Sequence, residues 1–126
     1  MPPLKNNSRS QQKGFEVERQ AVVFLQEQGL RIHQTNFRCK LGEIDIIAYD
    51  VNTLVFVEVR HRQSQRFGSP AETITYYKQQ KLIKTAQFYL QKQRLNIPCR
   101  FDIIESVGRA GGDHSMNWIK NAFLAF

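Results

Sequence analysis

Two adjacent apolar segments that carry acidic residues constrain the fold of this chain more than any other feature. The stretch GEIDIIAYDVNTLVFVEVR, residues 42–60, is rich in Ile and Val, which favour β-strands. The residues Asp50, Val51 and Asn52 form a turn-like segment between an apolar run at 42–49 and another at 53–61. The pattern therefore predicts an antiparallel β-hairpin.

Side chains alternate along a strand, so the two faces of this hairpin can be assigned. The first strand has one face with Glu43, Asp45 and Ile47 and an opposite face with Ile44, Ile46 and Ala48. The second strand has one face with Leu54, Phe56, Glu58 and Arg60 and an opposite face with Val55, Val57 and Val59. Large apolar residues on both faces are typical of central strands that are covered on both sides.

The hairpin register allows Asp45 and Glu58 to lie across from each other on one face. Two neighbouring carboxylates in a poorly solvated place raise each other's pKa, so a positive charge has to offset them. One interpretation is a divalent cation such as Mg²⁺ or Mn²⁺, which takes oxygen ligands from one or two carboxylates. The other is a structural ion-pair cluster in which Arg60, on the same face, neutralises both acids.

Two polar residues on predicted helices favour the first interpretation. Residues 14–28 have helical periodicity, and Glu18 lies in the middle of their apolar stripe. Residues 70–93 contain a second helix, in which Gln79 lies on the apolar stripe with Tyr76, Ile83, Ala86, Tyr89 and Leu90. Four elements each direct one polar residue inward, and a single shared polar site explains this more simply than four unrelated buried polar groups. The four residues are Glu18, Asp45, Glu58 and Gln79. The aromatic residues Tyr76, Tyr77, Phe88 and Tyr89 are interpreted as helix-packing residues rather than as platforms for nucleobases, although Phe88 is predicted on the polar side of the helix.

The order of elements predicts an α/β fold with a mixed central β-sheet flanked by helices. Residues 30–37 predict a first strand and residues 100–107 a strand after the second helix, and the terminal NWIKNAFLAF is expected to pack on the core. A length of 126 residues fits one domain. We expect residues 1–12 to be a disordered basic tail and residues 13–126 to form that single domain.

The charge balance indicates a polyanionic partner. The chain has 18 Lys and Arg against 11 Asp and Glu, a net charge of +7, which suggests nucleic acid, although plain solubility would also explain it. No apolar run reaches membrane-spanning length, and the first residues lack the apolar region of a secretory signal, so we expect a cytoplasmic protein with no membrane partner.

The chain resembles a known family in several segments that occur in the same order. GEIDIIA, LVFVEVR, RFGSPAE, RFDII and IKNAF, between about residues 13 and 123, are similar to the bacterial YraN family. That family is described as Holliday-junction-resolvase-like, within the restriction-endonuclease-like superfamily whose signature is PD-(D/E)-x-K. The resemblance implies a restriction-endonuclease-like core and Mg²⁺-dependent or Mn²⁺-dependent hydrolysis of phosphodiester bonds in nucleic acid, most simply DNA. Junction resolvases act as dimers, so analogy suggests a homodimer.

Carried onto this chain, the resemblance implies that Asp45 and Glu58 are metal ligands, that Glu18 is an additional acid of the site, and that Gln79 orients water or phosphate. We expect five basic residues to hold the nucleic-acid backbone without reading bases: Arg38, Lys40, Arg62, Arg66 and Lys78.

Arg60 departs from the family signature, because it stands where the signature has Lys. A guanidinium can hold phosphate but essentially cannot release a proton. Three hypotheses therefore stay open: a metal-dependent endonuclease, a nucleic-acid-binding protein with a degenerate and non-cleaving site, and a structural protein whose hairpin acids are ion-paired.

Overall fold

The computed structural model describes residues 9–62, 74–108 and 114–124. They form two helices and five strands: α1 (Arg9–Glu27), β1 (Arg31–Cys39), β2 (Gly42–Asp50), β3 (Thr53–Arg62), α2 (Tyr76–Gln93), β4 (Cys99–Gly108) and β5 (His114–Phe123). Neither helix within these ranges is both long and apolar enough to cross a bilayer. Arg66 and the RFGSPAE segment lie outside the described residues.

The strands form one sheet in the order β1-β2-β3-β4-β5. β3 and β4 pair in parallel, and the other neighbours pair antiparallel. The mixed α/β architecture with helices on the sheet and the β2–β3 hairpin are confirmed. The restriction-endonuclease-like core stays a prediction.

Each helix covers one face of the sheet, because the central strands bury apolar side chains in both directions. The α2 face packs the residues Phe37, Ile44, Ile47, Leu54, Phe56, Leu82, Ile83, Ala86, Tyr89 and Phe101. The α1 face packs the residues Ala21, Leu25, Leu30, Ile46, Ala48, Val55, Val57 and Ile104. The assignment of alternate β3 residues to opposite faces is confirmed, and with it the central position of this strand.

The alternation predicted for β2 is wrong at Ile44. Ile44 packs on the α2 face, whereas Ile46 packs on the α1 face. Asn36 of β1 lies between the Thr35–Ile46 and Phe37–Ile44 pairs, and its φ of 54° places it in the left-handed region. A left-handed residue inside a strand interrupts the pleat, so this kink accompanies the change of face. The residue of β2 at that level is Asp45.

Caps at both ends define α2. The Thr75 side-chain oxygen accepts a hydrogen bond of 3.1 Å from the backbone N–H of Lys78, as expected of an N-cap residue. At the other end Arg94 is left-handed, with φ 56°, and its N–H donates to the Gln91 carbonyl oxygen at 3.1 Å. The N-cap fixes where the helix begins and therefore where Lys78 projects.

Three boundary predictions need correction. α1 begins at Arg9, inside the segment predicted as a disordered tail, because Arg, Gln and Lys favour helix without any apolar periodicity to reveal it. β1 ends at Cys39 rather than at residue 37. The C-terminal residues form β5, an edge strand that sequence analysis assigned only to the core.

The aromatic residues at the beginning of α2 are also placed differently. Tyr76 and Tyr77 are 75% and 76% exposed, so the prediction that they pack the helix onto the core is wrong. The buried stripe of the helix begins only at Leu82 and Ile83, more than one turn later, whereas Tyr89 is buried as predicted.

A buried polar network attaches β5 to β4. The Asp102 carboxylate accepts hydrogen bonds from Trp118 Nε1 at 2.9 Å, from the Asn121 N–H at 2.9 Å and from Arg100 Nε at 3.0 Å. Arg100 also forms an ion pair with Asp50 at 3.0 Å. The three donors satisfy both oxygens of Asp102, which is the arrangement that a buried carboxylate requires.

Candidate functional site

The sheet divides between β2 and β3 at the position of the two predicted metal ligands. Pairing of β2 with β3 ends at Ile46 and Val57. Beyond that point β2 continues alongside β1 as far as Gly42, and β3 continues alongside β4 as far as Arg62. Asp45 and Glu58 are the first residues beyond this last pair, and they remain close enough for Glu58 to raise the pKa of Asp45.

Asp45 is held at this division by the neighbouring strand. The backbone N–H of Val59 donates a hydrogen bond of 2.8 Å to Asp45 Oδ2, so a side chain takes the place of a main-chain acceptor. Burial, followed by repulsion from Glu58, raises the pKa of Asp45 from 3.8 to about 8, against the opposing effect of the Val59 hydrogen bond. Burial and a second carboxylate both disfavour the charged form of Asp45, and a bound cation would favour it.

Glu58 projects toward α2. Its side chain is only 11% exposed, and Lys78 Nζ lies 2.7 Å from Glu58 Oε2. Glu58 therefore has a positive partner on the α2 helix, which sequence analysis did not assign to it. Lys78 is itself half-exposed, so this ammonium group remains accessible to a ligand.

A cavity of about 380 Å³ opens between α2 and the β1–β2 end of the sheet. Its lining combines acidic and basic side chains with a few smaller residues: Arg38, Cys39, Gly42, Glu43, Glu58, Lys78, Lys81, Leu82 and Thr85. Gly42 allows the β2 backbone to approach α2 closely at the cavity wall, because a Cβ atom there would lie 2.8 Å from Thr85 Oγ1. The volume falls within the range of ligand-binding clefts.

Glu18 of α1 is a third acid, and it interacts electrostatically with Glu43 and Glu58 of the same region. Its Oε1 is buried and has no hydrogen-bond partner among residues 9–62, 74–108 and 114–124. Burial raises the pKa of Glu18, with repulsion from Glu43 and Glu58 in the same direction and attraction to Arg38 opposing it. A buried carboxylate oxygen without a donor is an arrangement that a cation or a proton can satisfy.

The acids suit a hard cation in chemistry but do not form a complete site. Carboxylate oxygens are the ligands that Mg²⁺ and Mn²⁺ prefer. In the part of the chain that the structure describes, no group of three or more Asp, Glu, His or Cys side chains is placed to hold a metal. Asp45 and Glu58 are adjacent, and two carboxylates are the number that a Mg²⁺ ion retaining several waters takes from a protein.

The other two predicted catalytic residues lie near this region with partners of their own. Arg60 is on β3, two residues beyond Glu58, and its Cα pairs with that of Glu105 on β4. Gln79 is on α2, where its Nε2 donates to the Ile74 carbonyl oxygen at 3.2 Å. Gln79 does not line the cavity, so its predicted role in orienting water is less direct than that of Lys78.

The predicted nucleic-acid contacts are distributed unevenly. Arg38 and Lys78 line the cavity, and Arg38 also pairs with Glu43 at 3.1 Å on the exposed surface. Lys40 is exposed at the β1–β2 turn. Arg62 is instead largely buried, and its Nε forms an ion pair with Glu105 Oε2 at 2.8 Å.

Sequence analysis did not assign several residues that line the cavity, including the three polar side chains of Cys39, Lys81 and Thr85. Two of them have a recognisable signal, because Lys81 and Thr85 follow Lys78 at i+3 and i+7 on one face of a helix. Cys39 has none, because the sequence places it at the end of a strand without indicating what faces it.

The chain is similar throughout its length to a set of bacterial proteins. The sequence model of the family described as "Uncharacterised protein family UPF0102" matches residues 17–105. A "UPF0102 protein" of Hahella chejuensis is 50% identical over 122 residues, which cover 96% of this chain and 97% of the relative. Proteins of the same description from Pseudomonas syringae and a Janthinobacterium species are each 46% identical, over 118 and 122 residues. These matches cover 92% and 97% of this chain, and 96% and 95% of the relatives. The chain is therefore a member of the UPF0102 family, which includes the YraN-like proteins that it resembles.

Proposed function

We propose that this protein is a metal-dependent nuclease that hydrolyses phosphodiester bonds of nucleic acid, most simply DNA. The observation that carries the proposal is the pair of carboxyl groups where β2 and β3 separate. Asp45 is partly buried beside Glu58, and burial, followed by repulsion from Glu58, raises the pKa of Asp45. A divalent cation is the ligand that suits such a pair.

Asp45 and Glu58 would hold the cation, and Glu18 would add its unpartnered oxygen from α1. When bound, Mg²⁺ or Mn²⁺ supplies Lewis acidity at the phosphate and lowers the pKa of water. The protein supplies the rest: Val59 orients Asp45 through its N–H, and the partial burial of both acids strengthens their interaction with a cation. The net charge of +7 favours a polyanionic substrate.

Lys78 supports this proposal despite the departure at Arg60. Its Nζ lies 2.7 Å from Glu58, so an ammonium group is present beside the predicted ligand although the signature position on the strand holds Arg. A compact ammonium group can stabilise charge on a phosphate oxygen and can also release a proton. We assign this role to Lys78 and assign phosphate holding to Arg60.

One observation favours a second candidate function, nucleic-acid binding without cleavage. Lys78 already pairs with Glu58, and the described residues offer no cluster of three metal-ligating side chains. If the Lys78–Glu58 pair persists in solution, it keeps one of the two predicted ligands from the metal. The same basic residues would then hold nucleic acid at a site that has lost its chemistry.

Cleavage of labelled single-stranded, duplex and branched DNA in Mn²⁺ or Mg²⁺ separates the candidates. We expect the wild type to cleave, Asp45→Asn and Glu58→Gln to be inactive, and Lys78→Met to lose most activity. Asp50→Asn is the matched control, because it makes the same change on the same strand at the opposite end of the hairpin.

Two results would redirect the proposal. Binding of DNA by the wild type without cleavage in either metal would favour the second candidate, and Arg60→Lys would then test whether the signature lysine restores cutting. Cleavage by Asp45→Asn at the wild-type rate would place the activity elsewhere and remove the basis of the proposal.

A further inference from the structure

The exposed aromatic residues of α2 have no packing role that explains them. Tyr76 and Tyr77 are 75% and 76% exposed in the first turn of the helix. Within the described ranges neither ring contacts another aromatic ring, whereas the aromatic contacts of the core involve Phe37, Phe56 and Tyr89. Exposing a large aromatic surface to water is unfavourable, and such surfaces often mark binding sites.

Two lysines lie between two aromatic residues along one exposed stripe of this helix. Tyr77, Lys81, Lys84 and Phe88 are spaced at i, i+4, i+7 and i+11, which places them on one side of a helix. All four are exposed, with Phe88 at 39%. At the rise of an α-helix the stripe extends about 16 Å. We call these four residues the α2 stripe.

The lysines of the α2 stripe are available to a ligand. Lys81 and Lys84 form no ion pair with any residue of the described ranges, in contrast to Lys78 with Glu58. The two lysines lie between the exposed rings of Tyr77 and Phe88. This arrangement suits a polymer that carries both flat apolar groups and negative charges. Single-stranded nucleic acid is such a polymer, with one base and one phosphate in each nucleotide.

The α2 stripe adjoins the candidate site. Lys81 lines the same cavity as Glu58 and Lys78, so the stripe runs along one wall of that cavity. Phe88 is supported from below by Phe37, with ring centroids 6.4 Å apart, which holds it in place while part of its ring faces solvent. A strand bound along the stripe would pass the cavity that Glu58 lines.

We propose that the α2 stripe, with Tyr76 beside it, binds single-stranded nucleic acid and directs it to the site. Tyr77 and Phe88 stack on unpaired bases, and Lys81 and Lys84 contact the phosphates between them. The faces of paired bases are covered by their neighbours in a duplex, so the substrate class is nucleic acid with unpaired nucleotides. The substrate assignment rests on the proposed nuclease function, whereas the binding surface stands on the stripe itself.

Fluorescence anisotropy with the full chain in EDTA tests the binding surface without any metal. The probes are a labelled oligothymidylate, an oligouridylate and a DNA duplex of the same length. We expect the single strands to bind more tightly than the duplex. Tyr77→Ala is expected to weaken single-strand binding by about 5-fold or more, as base–aromatic stacking contributes about 1–3 kcal/mol per base. Tyr77→Phe, which keeps the ring, is expected to bind as the wild type does.

Salt dependence tests the phosphate contacts. Lys84→Gln is expected to reduce the slope of log affinity against log salt by about 0.7 for single strands, the value for one lost phosphate contact. Lys120→Gln is the matched control, because Lys120 is an exposed lysine on β5 that lies over the Trp118 ring and away from α2. It is expected to leave the slope unchanged.

Equal affinity for duplex and single strand, or an unchanged affinity in Tyr77→Ala, would overturn this inference. These outcomes differ from failure of the proposed function. If single strands bind through the stripe but no metal supports cleavage, the binding surface is upheld and the nuclease proposal fails. If DNA is cleaved but Tyr77→Ala binds and cleaves like the wild type, the nuclease proposal is upheld and the stripe is refuted.

Discussion

Replacing Asp45 with Asn distinguishes a strained carboxyl pair from a structural ion pair, because the two arrangements predict opposite changes in stability. In the metal-free protein, burial and Glu58 raise the pKa of Asp45 from 3.8 to about 8. Between these two pH values the folded protein holds a proton that the unfolded chain has released. The free energy of unfolding therefore falls as pH rises through this interval, and it falls no further above it.

The size of the effect follows from the two pKa values. Each pH unit within the interval lowers the free energy of unfolding by at most about 1.4 kcal/mol. The accumulated loss is on the order of 4 kcal/mol at pH 7 and is nearly absent below pH 4. Asn carries no charge, and its Oδ1 can still accept the hydrogen bond from Val59. We therefore expect Asp45→Asn to be more stable than the wild type at neutral pH, by up to about 4 kcal/mol, and nearly equal to it near pH 4.

Urea denaturation in EDTA at about pH 4, 7 and 8.5 measures this difference. Asp50→Asn is the control, because Asp50 pairs with Arg100 at 3.0 Å and its loss is expected to reduce stability rather than raise it. An Asp45→Asn protein that is less stable than the wild type at pH 8.5 would refute the reasoning and favour an ion pair between Asp45 and Arg60. Equal stability at every pH would show that Asp45 is well solvated.

Two further substitutions test the packing around the site and the network behind β5. Gly42→Ala is expected to cost about 1–3 kcal/mol in urea denaturation, because φ is 153° and the added Cβ meets Thr85. Gly14→Ala, in α1 with open space around the added atom, is expected to stabilise by about 0.5–1 kcal/mol, and equal effects would refute this account. Asp102→Asn is expected to cost about 3 kcal/mol by leaving buried charge on Arg100 poorly paired. The fluorescence emission maximum of Trp118, the only Trp of the chain, is expected to shift in this variant because its Nε1 donates to Asp102. An unchanged spectrum and an unchanged stability would contradict the hydrogen-bond network around Asp102.

Local pattern was sufficient for the hairpin and for its two central acids. A short turn between two runs of Ile and Val leaves few registers, and only one of them buries the apolar residues of both strands. That register places Asp45 and Glu58 directly after the last paired residues, and they do lie close together, although the alternation that predicts their shared face fails at Ile44. The position of Glu18 on an apolar stripe was equally visible, and the helix does leave one of its oxygens buried.

Features that depend on packing between distant elements could not be predicted in this way. The contact between Lys78 and Glu58 depends on how α2 crosses the sheet, and the change of face at Ile44 depends on a left-handed residue in the neighbouring strand. The exposure of Tyr77 was predicted wrongly, because helical periodicity identifies a stripe but not the turn at which the sheet begins to cover it.

The sequence by itself determined the class of fold, the hairpin and the two acids that lie close together, because strand alternation and turn chemistry act over a few residues. Only the tertiary structure decided which cation reaches Glu58, which side chains enclose the cavity and which aromatic residues remain in solvent. Those outcomes depend on the angle and depth at which a helix packs on a sheet, and these are set by the summed contacts of the whole core rather than by any local pattern.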